Sequence, residues 1–147
     1  MVKNILVAVD GSKVSGKAVD FAISLARRLG SGMTILHVID NSAYLSRAMP
    51  ASAIPTHLVE PVEDYLRQGA EIFIQKIKKQ CEQLEIKTKV VINSGHPVEE
   101  ILKEAKKSKA CLIVMGSRGK GAISSVLGSV TFGVLHGRSK TAVLVVR

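Results

Sequence analysis

A chain of 147 residues with 46% hydrophobic content is the length of one domain, so a single domain over 1–147 is expected, and it carries enough apolar surface to close a core. Aromatics are 3% and Trp is absent, which argues for an aliphatic core layered between helices and strands and against stacking platforms for single-stranded nucleic acid. The formal charge of +9 is uneven, with seven basic and seven acidic side chains in 1–71 but fourteen and five in 72–147.

Such an asymmetry can mark a polyanionic partner. Here there is no recognition helix, RNP-like aromatic motif or basic run, and Lys76, Lys79, Lys103, Lys106 and Lys107 read as solvated helix faces, so no nucleic acid is expected as a partner. The opening MVKNILVAVDGS is too short and too soon interrupted by Asp10 to be a signal peptide. No stretch reaches the roughly 18 consecutive apolar residues of a membrane helix, and a cytoplasmic location without membrane contact is expected. Cys81 and Cys111 lack a CxxC spacing or a neighbouring His and read as two buried free thiols rather than a disulfide or zinc site.

In chain order, residues 5–9 form an unbroken aliphatic run suited to a strand buried on both faces, closed by the turn Asp10-Gly11-Ser12. Over 14–29 the apolar residues Val14, Ala18, Phe21, Ala22, Leu25 and Leu29 recur at three and four and predict a helix stopped by Gly30. Residues 33–39 repeat the strand, ending at Asp40-Asn41-Ser42. The weakly patterned stretch 43–61, with three of the four prolines, reads as a surface insertion. A long amphipathic helix over 62–84 would turn Tyr65, Leu66, Ile72, Phe73, Ile77 and Leu84 inward. Residues 86–92, with Lys87 and Lys89 outward, predict a strand nearer the sheet edge.

Pro97 suits the first turn of a third helix carrying Val98, Ile101, Leu102 and Ala105. A fourth buried strand over 111–115, a short helix over 130–136 and a last strand over 142–146 complete the chain. Five strands alternating with four helices predict an α/β fold: an open five-stranded parallel sheet with helices on both faces, Rossmann-like, because right-handed crossovers make consecutive strands parallel. With strand order 3-2-1-4-5, the loops after strands one and four face each other at the point where the order reverses, where such sheets bind ligands.

The loop after strand four, MGSRGKGAISSVLGSV, is glycine-rich. Glycine lets main-chain amides approach a phosphate closely and adopts positive φ, which makes Gly116, Gly119 and Gly128 candidates to cradle one. Ser129, at the start of the last helix, could cap it and donate to an anion. Neither GxxxxGK[ST] nor GxGxxG is present, which excludes a P-loop enzyme and an ordinary dinucleotide fold.

The stretches NILVAVDGS, ILHVID, SGHPVEEILKEA, LIVMGSRGKGAISSVLGSVTFGVL and AVLVV together resemble the ATP-binding branch of the universal stress protein family, over residues 3–146. The resemblance implies the fold just described, with ATP and Mg²⁺ as ligands. ATP-binding members carry G-x2-G-x9-G-[ST]; here Gly116-x2-Gly119 matches, while eight residues, 120–127, precede Gly128-Ser129. It further implies that Asp10, next to Val9, lies beside the ribose and adenine and that Val38 offers backbone contacts to the base. Gly116, Gly119, Gly128 and Ser129 are then the phosphate side, where Arg118 and Lys120 could neutralise charge, and Met115 and Val130, next to them in the chain, complete the binding residues.

Hydrolysis would need groups to orient water and hold a metal, and Asp10 is the carboxylate that the candidate site offers, with Asp40 at the end of strand two. The histidines at 37, 57, 96 and 136 are scattered, and Ser124-Ser125 lacks a GxSxG elbow. No catalytic residue is assigned. The expectation is a nucleotide-binding regulatory protein, with at most slow ATP turnover, acting through an unidentified protein partner; the alternative is a dimeric interaction module without nucleotide. The apolar edge strand AVLVV needs covering, and the resemblance implies a homodimer through it.

Overall fold

Strands and helices alternate in the computed structural model, which describes residues 3–40, 57, 59–119 and 127–147. They are β1 (Asn4–Ala8), α1 (Lys13–Leu29), β2 (Gly32–Ile39), α2 (Val59–Gln83), β3 (Thr88–Ser94), α3 (Pro97–Lys107), β4 (Leu112–Gly116), α4 (Ser129–His136) and β5 (Ala142–Val146). All pairings are parallel, as the alternation predicts, and the order is β3-β2-β1-β4-β5, as the family resemblance implies. The strand over 88–94 does lie at an edge, two residues later in the chain than its pattern suggests.

The period of two along each strand splits the apolar residues between two layers. Ile5 and Val7 of β1, Met33 and Ile35 of β2 and Val114 of β4 pack with Ala18 and Ala22 of α1 and Ile74 of α2. Leu6, Leu36, Ile113 and Met115 point the other way, onto Ile101 and Ala105 of α3 and Val134 of α4. Each fully buried Ile or Leu contributes about 1.5–3 kcal/mol, and truncating Leu6 or Ile35, both fully buried, costs about 2–5 kcal/mol.

Several side chains expected inside are not. In α1 the face against the sheet is Val14, Ala18, Val19, Ala22, Ile23 and Ala26, whose alanines let the helix lie close to the strands, so Phe21 and Leu29 are turned outward, 48% and 41% exposed. In α2 the inward stripe is Ala70, Ile74 and Cys81, leaving Tyr65 and Ile72 exposed at 68% and 67%. Apolar spacing of three and four permits overlapping faces, and the sheet selects the flatter one.

The cysteines also part company. Cys81 is buried, and burial pushes its thiol up, the hydrogen bond with Thr88 pulling the other way. Cys111 is exposed: it precedes β4 and donates its backbone amide to Asn4 O at 3.0 Å, so its side chain is not part of the core.

Candidate functional site

β1 has β2 on one side and β4 on the other, and the chain leaves β1 and β4 toward helices. A cleft opens beyond their carboxyl ends, as this topology requires. Its volume is about 490 Å³, within the range of small-ligand sites. One wall is apolar, made by Ala8, Leu36, Val38, Pro97, Ile101 and Met115; the mouth is polar, with Asp10, Asp40, Arg118 and the glycine loop.

The exit from β1 is tightly held. Val9 donates to Leu36 O at 2.9 Å, and its carbonyl accepts from His37 Nδ1 at 2.7 Å. Asp10 Oδ1 accepts from the Ser12 amide at 2.8 Å, so this carboxylate forms a turn as well as lining the cleft. Gly11 has a φ of 81°, which its lack of a side chain permits. Ser12 then caps α1, its Oγ accepting from the Ser15 amide at 3.2 Å, while Ser15 Oγ donates to Ser12 O at 3.1 Å.

The exit from β4 is tied at Ser117, whose amide donates to Val146 O and whose carbonyl accepts from the Gly128 amide, each at 2.7 Å. Buried Thr131 donates its hydroxyl to Gly116 O at 2.7 Å. A Cβ at Gly116 would stand 2.8 Å from Val14 Cγ1, at Gly119 2.5 Å from Asp10 Oδ2, and at Gly128 2.9 Å from Arg118 Cα. Positive φ among the described glycines falls at Gly11, Gly30 and Gly95. The three loop glycines are therefore present for close approach, not for backbone conformation.

Gly128, not Ser129, is the N-cap of α4, and no side chain caps the helix. Ser129 is the first helical residue, so the capping role expected for its hydroxyl is not taken up. The first intrahelical bond is Phe132 N to Gly128 O at 2.9 Å, so the amides of 129–131 have no acceptor within the helix. A helix N-terminus carries roughly half a positive elementary charge, and Arg118 adds to it beside the same opening. Asp10 and Asp40 supply the opposite charge. The arrangement suits a ligand that is flat and apolar at one end, anionic at the other, and carries hydroxyl or amino donors between.

Of the expected site residues, Val9, Asp10, Val38, Met115, Gly116, Arg118, Gly119, Gly128, Ser129 and Val130 line this one cleft. Lys120 lies outside the described residues, as do Ser124 and Ser125 and most of the 43–61 insertion. Sequence reasoning gave no part in the ligand site to Thr131, Leu36, Pro97 or Ile101, which also line it. Leu36 could have been found from the alternation that puts one residue in two of each strand toward α3, and Ile101 from the helical period of α3 itself; Thr131 had no separate signal. No group of three or more His, Cys, Asp or Glu side chains able to hold a metal occurs among the described residues.

A sequence model described as the universal stress protein family matches residues 1–147. Universal stress protein YxiE of Bacillus subtilis is 31% identical over the whole length of both chains. Universal stress protein MJ0577 of Methanocaldococcus jannaschii is likewise 31% identical, and its solved structure matches with a TM-score of 0.85, covering 99% of this chain and 96% of that one. A solved universal stress protein in complex with cAMP is 25% identical, with a TM-score of 0.65 over 99% of this chain and 97% of the other.

Proposed function

The chain belongs to the universal stress protein family, and from that premise we propose that it is an ATP-binding regulatory protein. The observation that carries the reading is the uncapped N-terminus of α4, opening into a cleft of about 490 Å³ between an apolar wall and the glycine loop. In this reading the triphosphate lies against the amides of Ser129 and Val130 and along Gly116, Gly119 and Gly128, with Arg118 and Lys120 offsetting its charge. The adenine rests on the apolar wall by Met115 and meets the Val38 backbone, and Asp10, following Val9, takes the ribose. The relative solved with cAMP supports an adenine nucleotide as the ligand class.

Mg²⁺ accompanies the phosphates. Such ions keep several waters and use one or two carboxylates plus phosphate oxygens, and Asp10 and Asp40 line the same cleft. No residue is assigned to catalysis, and turnover is slow at most. The whole chain acts as one cytoplasmic domain. It pairs with a second copy through β5, an edge strand whose sequence AVLVV carries no charge to discourage pairing, and it signals to a protein partner.

Isothermal titration with Mg-ATP tests the reading: saturable binding at or below millimolar concentration is expected, and no heat up to that concentration overturns it. One feature favours a second reading, a dimeric interaction module without nucleotide: the 120–127 interval is one residue shorter than the ATP-binding pattern. Protein purified without adenine absorbance, with a melting temperature unmoved by ATP, would support that alternative.

A further inference from the structure

We infer that His37 is a positioning residue for the nucleotide cleft: from the opposite face of the sheet it fixes the peptide that carries Asp10. The role of Asp10 at the ligand rests on the function proposed above; the mechanical link from His37 to Asp10 does not.

The link starts from alternation along β2. Leu36 and Val38 line the cleft, so His37 between them projects to the other face, where its ring meets Phe73 of α2 edge-on with centroids 5.2 Å apart. The ring is thereby held at a fixed angle, and Nδ1 lies 2.7 Å from the Val9 carbonyl oxygen. A carbonyl oxygen only accepts, so Nδ1 carries the proton and donates. It does so whether the imidazole is neutral or charged.

Val9 lies one residue beyond β1, where the ladder with β2 stops at the pair Ala8 and Leu36. Its amide is spent on Leu36 O and its carbonyl on His37. Both polar groups of the Val9 peptide chain are thus tied to β2, the second by a side chain standing in where regular pairing has ended. The next residue is Asp10, whose Oδ1 holds the Ser12 amide at 2.8 Å and whose Oδ2 lies where a Cβ on Gly119 would come within 2.5 Å. Oδ1 is tied to the start of α1 and Oδ2 stands beside the glycine loop, so a shift of the backbone behind them moves both. His37 supplies the restraint from behind without itself lining the cleft.

The test uses the full-length protein and substitutions at 37 and 10. His37→Leu removes the donor, and Mg-ATP affinity is expected to fall about threefold to tenfold, the range set by one net hydrogen bond. His37→Asn, whose side-chain nitrogen can take the place of Nδ1, is expected to restore most of it. Adding His37→Leu to Asp10→Ala should produce no further loss, because the two act through one element; equal losses in both backgrounds overturn the inference. Should Leu at 37 prevent folding, His37→Phe keeps a ring against Phe73 while lacking the donor.

A measurement without ligand separates this from the function proposed above. Amide hydrogen exchange at Ser12, whose N–H is held by Asp10, should quicken severalfold in His37→Leu and return toward the parent rate in His37→Asn. Unchanged Ser12 exchange refutes the positioning role, whatever nucleotide does. Quickened exchange in a protein that binds no ATP upholds it and refutes only the nucleotide reading.

Discussion

Two helices begin at the rim of the cleft, and they treat their first turns differently. The N-caps of α1 and α4 have nearly the same backbone conformation, φ −74° and ψ 164° at Ser12 against φ −62° and ψ 150° at Gly128. At α1 the serine side chain takes the Ser15 amide, so the helix satisfies itself. At α4 the cap is a glycine, no side chain is offered, and the first-turn amides are left to something outside the helix. Nearly the same backbone geometry thus makes a self-capped helix start in one place and leaves the first-turn amides open in the other. The difference is a side chain, and crowding against the Arg118 backbone is what keeps the second site bare.

Giving α4 the cap of α1 should break this distinction with the largest effect. A serine at an N-cap ordinarily adds only about a few tenths of a kcal/mol over glycine, but Gly128→Ser places Cβ 2.9 Å from Arg118 Cα. We expect a lower melting temperature. Mg-ATP affinity should drop about a hundredfold or more, as two charge-assisted bonds worth about 1.5–3 kcal/mol each are lost. A stabilised variant that binds normally would show that the bare cap has no ligand to serve.

Next in size is Gly119→Ala, which drives a methyl into Asp10 Oδ2 and so links the two helix starts. Calorimetry should read a loss of about tenfold or somewhat more, the worth of one hydrogen bond to a charged group; unchanged affinity would mean that Asp10 does not touch the ligand. Arg118→Gln should weaken ATP by roughly tenfold on the same basis and AMP by less, since its charge serves the phosphate tail. Equal effects on both nucleotides would move Arg118 away from that tail. Smallest is Ser12→Ala, which removes the self-cap of α1: about 1 kcal/mol of stability, a melting shift of about 2–4 °C, and ATP affinity within about twofold. A large affinity loss there would erase the contrast between the helices.

That the sheet is parallel was legible in the sequence because right-handed crossovers leave few topologies; its strand order followed from the family resemblance, and the cleft from Gly116, Gly119 and Gly128, which stand out between two apolar runs. Why those glycines are needed was less legible. Positive φ and close approach are equally open to a glycine in a sequence, and only the neighbours Val14, Asp10 and Arg118, brought in from elsewhere, decide for the second. The same limit explains Ser129: it stood as the obvious cap, yet the residue before it holds the capping geometry. Phe21 and Ile72 were misplaced because a long helix with apolar residues on more than one flank does not announce which stripe meets the sheet. His37 looked like one of four scattered histidines until β2 set it beside the Val9 carbonyl.

The most direct measurement is an amide-resolved NMR titration of the full-length protein with Mg-ATP. Saturable shifts are expected at the amides of Ser129, Val130 and Thr131, while the Ser15 amide, already held by Ser12, moves little. If ATP at millimolar concentration leaves the first turn of α4 unmoved, or perturbs only residues away from the cleft, the claim that this helix start receives a phosphate is contradicted.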